Sequence, residues 1–182
     1  MLRRPDIDHI LRAAAALSNH ARFVVVGTGA VIIATRRIPA IMMMTSEIDL
    51  YADGVPDPEP ISDLIDASIG QGSQFHRTFS YYCDGVSPGT AMMPNDWRAR
   101  AVEYVTPDGL VTAVCPCADD IAIAKLCAWR EKDRVWLQAA VRAGIASHTR
   151  ILKLLQAGLP RDAPEAGELA SRLDILPRFD SC

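Results

Sequence analysis

Short apolar runs alternate with stretches of helical periodicity along the whole chain, and the two patterns interleave. Phe23-Val24-Val25-Val26 is an unbroken apolar run with three β-branched members, the signature of a strand buried on both faces. Ahead of it the pattern predicts a helix through about Ser18, capped by Asp6 or Asp8, since a carboxylate accepts free amide hydrogens at the positive helix end. Gly27-Thr28-Gly29 closes the strand, Ala30 to Thr35 reads as a helix packed on the sheet, and Arg36, Arg37 and Pro39 break it. Ser46-Glu47-Ile48-Asp49-Leu50-Tyr51 alternates polar with apolar. A strand there sends Glu47, Asp49 and Tyr51 to one face and Ile48 and Leu50 to the other.

Asp53 to Pro60, rich in proline, glycine and acids, is a loop. Glu59 to Ile69 then carries Ile61, Leu64, Ile65 and Ile69 at helical spacing until Gly70 and Gly72. Phe79–Cys83, Ala101–Val105 and Leu110–Val114 have strand composition, and Pro107-Asp108-Gly109 predicts a hairpin between the last two, so the sheet mixes directions. From Asp119 or Asp120 as cap the chain turns helical: Ile121 to Trp129, Glu131 to Ala143, and Ser147 to Ala157 behind a serine cap. After Pro160 the prolines at 164 and 177 and Gly167 suggest a short helix and a loose end. The expected fold class is α/β (α+β), a mixed sheet flanked by helices with a helical portion from about 119 to 182, all in one domain, 1–182.

The 182-residue length suits a single core, and 49% hydrophobic with 23% charged residues is a globular balance. A net charge of -3 exerts no general pull on nucleic acid, so a polynucleotide partner would need a local basic patch. No apolar run approaches the roughly 20 residues of a membrane span, and the opening MLRRPDIDH does not read as a cleavable signal. The expectation is a cytoplasmic protein with no membrane partner. Five irregularly spaced cysteines (Cys83, Cys115, Cys117, Cys127, Cys182) argue for reduced thiols, and Cys115-Pro-Cys117 lacks the spacing of a zinc or redox pair.

Candidate chemistry centres on Glu47 and Asp49. Alternate positions on a strand lie about 7 Å apart, so the two carboxylates can converge on one divalent ion, magnesium or manganese, which would bridge the phosphates of a nucleoside triphosphate. Two acids on an exposed strand face are also common without any ligand. The preceding glycine turn places backbone amides at a helix N-terminus, where a triphosphate could rest, although many such turns need glycine for geometry alone. On one uninterrupted helix Lys125, Trp129, Lys132 and Trp136 would form a stripe, either a cation-aromatic site or lysine stems lying over indoles. His76 is a candidate proton acceptor or a structural imidazole; Trp97 with Arg98 and Arg100 would stack a base or cover a core edge; Met42-Met43-Met44 reads as flexible apolar packing.

The order Val25-Val26-Gly27-Thr28-Gly29-Ala30, then Ser46-Glu47-Ile48-Asp49-Leu50-Tyr51, resembles the glycine motif and acid-x-acid motif of the polymerase-β-type nucleotidyltransferase superfamily, with Glu47 where an aspartate is usual. Further similarity lies in Gly70–Phe79, Pro94–Arg100 and Asp120–Leu126 running into Arg130–Asp133. Across about residues 5 to 160 the chain looks most like a small bacterial nucleotidyltransferase-like family of uncharacterised function, distantly similar to AbiEii-type toxins.

The resemblance implies a nucleotidyltransferase-type fold and metal-dependent transfer of a nucleotide from a triphosphate to an RNA or protein hydroxyl, in a toxin or defence setting with an antitoxin as partner. It implies that Glu47 and Asp49 hold metal, that Gly27, Thr28, Gly29, Lys125 and Arg130 hold nucleotide with Lys125 on the triphosphate, and that Asp133 plays a supporting polar role in the active site. Glu103 is the single candidate for a third carboxylate, and its approach to the pair would favour catalysis. Two rivals stand beside this: a binding module that keeps the groove without turnover, and a structural protein with Trp129 and Trp136 at an oligomer interface.

Overall fold

A computed structural model describes residues 1–176 of the chain. Its strands are β1 (Arg22–Val26), β2 (Glu47–Ala52), β3 (Tyr82–Gly85), β4 (Val102–Val105) and β5 (Thr112–Cys115), joined in one sheet of order β3-β2-β1-β5-β4. β1 is antiparallel to β2 and parallel to β5, β2 is parallel to β3, and β4 is antiparallel to β5. The sheet is therefore mixed, as the expected hairpin requires. β1, the apolar run, lies at its centre with Phe23 to Val26 buried.

Helix α1 (Arg4–Ser18) lies over α2 (Gly27–Ala34) and α3 (Glu59–Ile69), while α2 packs on β1, β2 and β5, and α3 on β2 and β3. The short α4 (Gln74–Phe79) follows α3. Past the sheet come α5 (Ala118–Ala128), α6 (Glu131–Arg142), α7 (His148–Gln156) and α8 (Ala166–Asp174), with α5 touching α2, α6, α7 and α8. The buried cluster runs from Leu2 and Ile7 through the sheet to Leu169 and Leu173, so the C-terminal helices share the core of the strands. None of the described helices is long and apolar enough to cross a membrane.

Several boundaries differ from the sequence reading for identifiable reasons. Phe79 ends α4 and does not start a strand: Ser73 caps that helix by accepting from the His76 amide at 3.1 Å, and Phe75 and Phe79, one turn apart, pack together and on Tyr81. Aromatic residues suit that helical pair as well as they suit a strand. Helix α1 begins at Arg4, where Asp6 reaches back to the Arg3 amide (2.9 Å) from inside the first turn, while buried Asp8 accepts the Tyr104 hydroxyl (2.6 Å). Likewise α5 begins one residue before Asp119, at Ala118. Asp119 accepts the Ser147 amide (2.7 Å) and the Arg150 guanidinium, and fully buried Asp120 pairs with Arg100 (2.7 Å). These acids serve tertiary ion pairs as well as the helix dipole. Ser147 does cap α7. The expected short helix after Pro160 is α8, while Pro177 and Cys182 lie outside the described residues.

Where α3 crosses β3 the backbones nearly touch, because a Cβ on Gly85 would stand 1.9 Å from the Ser62 carbonyl oxygen. Overpacking that moves backbone typically costs up to about 3 kcal/mol. Gly85→Ala is therefore expected to lower unfolding stability by about that much in a urea melt, whereas Gly89→Ala, in open space, changes it by less than ~1 kcal/mol.

Candidate functional site

The site begins where β1 ends. Val26 pairs with Asp49 across the β1–β2 ladder, and α2 starts at the next residue, Gly27. Gly27 has φ +63°, and a Cβ there would meet Asp49 Oδ2 at 2.9 Å, so this glycine both makes the left-handed turn and leaves room for the carboxylate. Gly29 acts on packing instead, since a Cβ there would lie 2.7 Å from Ile48 Cδ1; its absence lets α2 sit tightly on the Ile48 face of β2. Glu47 and Asp49 project from the opposite face of the same strand. The expected alternation of β2 is observed.

That opposite face opens into a cavity of about 470 Å³ lined by Gly27, Thr28, Glu47, Asp49, Lys125, Arg130, Lys132 and Trp136, with Ile41, Met44 and Val135 forming an apolar wall. Of the residues expected to hold metal or nucleotide or to play a supporting polar role, all but Gly29, Asp133 and Glu103 border it. Met42 is buried, but Met44 is 74% exposed at the cavity wall, so the methionine run divides between core and site.

The two carboxylates differ electrostatically. Burial raises the Glu47 pKa, but hydrogen bonds from the Tyr82 hydroxyl (2.8 Å to Oε2) and Lys132 Nζ (3.2 Å to Oε1) outweigh this and leave it below the ordinary value. Asp49 has no hydrogen bond or ion pair to its carboxylate among the described residues. Burial first, then the charges of Glu47 and Asp84, push it up to about 6, only partly opposed by Lys125 and Lys132. An ionised, half-buried carboxylate beside another acid is a place where a cation lowers the free energy. No group of three His, Cys, Asp or Glu among the described residues is arranged to hold a metal ion by itself. The pair thus fits a magnesium-like ion that takes one or two carboxylates and draws its other oxygens from substrate and water.

Lys125 comes from α5 and Asp133 from α6. These helices are not continuous: Trp129 adopts φ +49° and ends α5, so the expected single stripe is broken. Trp129 turns away to meet Arg134 and Arg172, whereas Lys125 Nζ still lies 5.1 Å from the Trp136 ring centre. Trp136 is 4% exposed and lines the cavity, so its ring is spent within the fold. Lys125 Nζ bonds Asp133 Oδ1 at 3.0 Å, and Arg130 bonds Oδ2 at 2.7 Å through Nε and at 3.3 Å through its backbone amide. Burial lowers the Lys125 pKa, against the opposing pull of Asp133. Asp133 is itself pushed up by burial but held low by Arg130 and Lys125.

Glu103, the expected third carboxylate, does not approach the pair. It lies on β4, at the far edge from β3 with β1 and β5 between it and β2, and it is paired with Arg22, which also holds Asp53. Asp84 is the acid beside the pair. It stands opposite Asp49 in the parallel β2–β3 register, and burial, Asp66 and Glu47 raise its pKa. Asp84 is missed in the sequence because the expected strand stops at Cys83, one residue short of it, and Tyr82, although inside that strand, carries no local mark of its partner Glu47; a Tyr-x-Asp alternation is the available signal. His76 takes the structural role, accepting from the Gly72 amide (3.0 Å) and packing on Tyr82. Arg98 lies over Trp97 and bonds Asp53, and Arg100 bridges Asp96 and Asp120, so that segment braces the core edge. Cys83, Cys115, Cys117 and Cys127 are free thiols.

A mixed sheet flanked by helices, with an acid pair beside a glycine turn, is the framework of a nucleotidyltransferase-type fold. A family model described as a nucleotidyltransferase of unknown function (DUF6036) matches residues 6–157, and the chain belongs to that family. No curated protein and no solved structure matches it.

Two outcomes follow from the charge balance. The folded Asp49 carboxyl keeps its proton up to pH about 6, while the unfolded one releases it near 3.8. The folded state therefore binds more protons between those values, and stability falls as pH rises through that window. In buffer without divalent cations, Asp49→Asn should melt higher than wild type above pH about 6, by at most ~3 kcal/mol, with the difference shrinking towards pH about 4. Equal melts throughout would show that the charge is compensated. Secondly, Lys132 holds Glu47 Oε1, where an added cation would have to compete with it, so Lys132→Met should bind manganese about two- to fivefold more tightly by calorimetry.

Proposed function

We propose that this nucleotidyltransferase moves a nucleotide from a nucleoside triphosphate to a hydroxyl on RNA or protein, with a divalent cation at Glu47 and Asp49. The observation that carries the reading is the unpaired, half-buried Asp49 carboxylate facing Lys125 and Lys132 across one cavity beside Gly27 and Thr28. Bound magnesium or manganese would neutralise phosphate charge and orient the attacking oxygen. Lys125, presented by Asp133, meets the triphosphate, and Thr28 and the Gly27 backbone border the same space. Lys132 and Arg130 supply further positive charge as pyrophosphate leaves. The hydroxyl oxygen forms its bond to the α-phosphorus as the bond to pyrophosphate breaks. The hydroxyl proton passes to the acid face, on which Asp84 stands opposite Asp49 in the β2–β3 register. A toxin or defence role, with an antitoxin partner, rests on the resemblance to AbiEii-type toxins alone.

One observation favours a non-catalytic binding module. Lys132 already bridges to Glu47, and an ammonium there stands where a metal would otherwise sit. The two readings separate in a transfer assay with magnesium, each triphosphate labelled at its α-phosphate, total RNA and cell lysate. Label transfer by wild type, reduced at least ~100-fold in both Asp49→Asn and Lys125→Ala, is the expected outcome. Triphosphate binding without transfer to any fraction would overturn the enzyme in favour of the binder.

A further inference from the structure

Beyond the acid cavity the surface continues as a groove. A second hollow, lined by Ile41, Val135, Gln138, Ala139 and Arg142, shares Ile41 and Val135 with the acid cavity. Through Pro39 and Ala143 it shares its other end with a third hollow of about 770 Å³. That outermost hollow is lined by Arg3, Arg4, Arg36 and Arg37 over an apolar floor of Ile32, Ile38, Pro39 and Met43, and no acid among the described residues lines either outer hollow. In a chain of net charge -3 this is a local inversion of sign.

The arginines are not equivalent. Arg4 is tied to the Ile33 carbonyl and lies over Tyr104, and Arg3 pairs with Asp6. Arg36 and Arg37 are exposed just past α2 and have neither ion pair nor hydrogen bond among the described residues. The run from Arg37 to Met42, which borders the acid cavity, spans at most ~18 Å of chain.

We propose that this groove binds the backbone of single-stranded RNA and leads its terminal hydroxyl to the acid pair. Guanidinium groups match phosphate geometry, and the apolar floor suits unstacked bases. A purely acidic protein segment would meet the arginines but gain nothing from that floor. The proposal rests on the reading of the acid cavity as the chemical site, since the groove specifies only which acceptor reaches it.

The test uses the full chain and a fluorescent RNA oligomer of about a dozen nucleotides, a length in the range of single-strand sites. Anisotropy is measured over a salt series, with triphosphate binding followed separately. Arg36→Gln/Arg37→Gln should weaken RNA binding at least ~10-fold and lower the log-log salt slope by about one to one and a half, two phosphate contacts being lost. Triphosphate binding should be unchanged. RNA binding that is absent in wild type, or indifferent to the double substitution, would overturn the groove while leaving the acid cavity intact. A polyglutamate peptide that binds as tightly as RNA and loses affinity equally in the variant would also overturn it, in favour of an acidic protein partner. The opposite pattern, normal RNA binding with no triphosphate bound, would keep the groove as an RNA site but sink the transferase reading, and with it the delivery of a hydroxyl to the acid pair.

Discussion

The site depends on one electrostatic constraint: two carboxylates on alternate positions of β2 are held on the same face with too little positive charge to neutralise both. Glu47 is satisfied by Tyr82 and Lys132, and Asp49 is left to burial and repulsion. Like charges on one strand face normally destabilise a sheet, and the pair is tolerated because the rest of β2 is fixed independently. Ile48 and Leu50 are fully buried on the other face, and β1 and β3 hold the strand on both sides. The apolar half of the strand thus supports the position of its charged half.

The glycine turn belongs to the same constraint. An N-terminal helical turn can begin beside Asp49 only if Gly27 lacks a side chain, and α2 can lie close to the sheet only if Gly29 does too. The motif Gly-Thr-Gly thereby couples two separations, backbone to carboxylate and helix to strand. Thr28, between them, is free to face the cavity. Because both glycines meet residues of β2, the turn and the acid motif form one structural unit despite their separation in sequence.

Periodicity made most of this legible. The alternation in β2, the apolar β1, the span of α3 and the serine cap of α7 are local patterns, and each is present in the fold. What remained hidden is set by tertiary pairing. Glu103 and Asp84 are both acids on short strands, and nothing local distinguishes them; the strand order puts one beside Asp49 and the other at the far edge beside Arg22. The acids at the start of α5 look like caps because capping and ion pairing demand the same residue types, and only Arg100 and Arg150 reveal their partners. The arginine groove was invisible for a similar reason, since Arg3, Arg4, Arg36 and Arg37 are brought together by α1 and α2 lying side by side.

The Lys125 and Asp133 spacing shows how a broken pattern serves a site better than an unbroken one. Eight residues on a continuous helix would separate the two by about 12 Å of rise, beyond the reach of a hydrogen bond between backbone-fixed positions. The left-handed turn at Trp129 folds α6 back against α5 and closes that separation to a 3.0 Å contact. A tryptophan in this conformation carries a backbone cost that must be recovered elsewhere. Here its ring lies near the Arg134 and Arg172 guanidiniums, while the Arg172 side chain donates to the Leu126 and Cys127 carbonyls left open at the end of α5. α8 thus secures the turn that presents Lys125, which links that helix to the cavity although none of its own residues lines it.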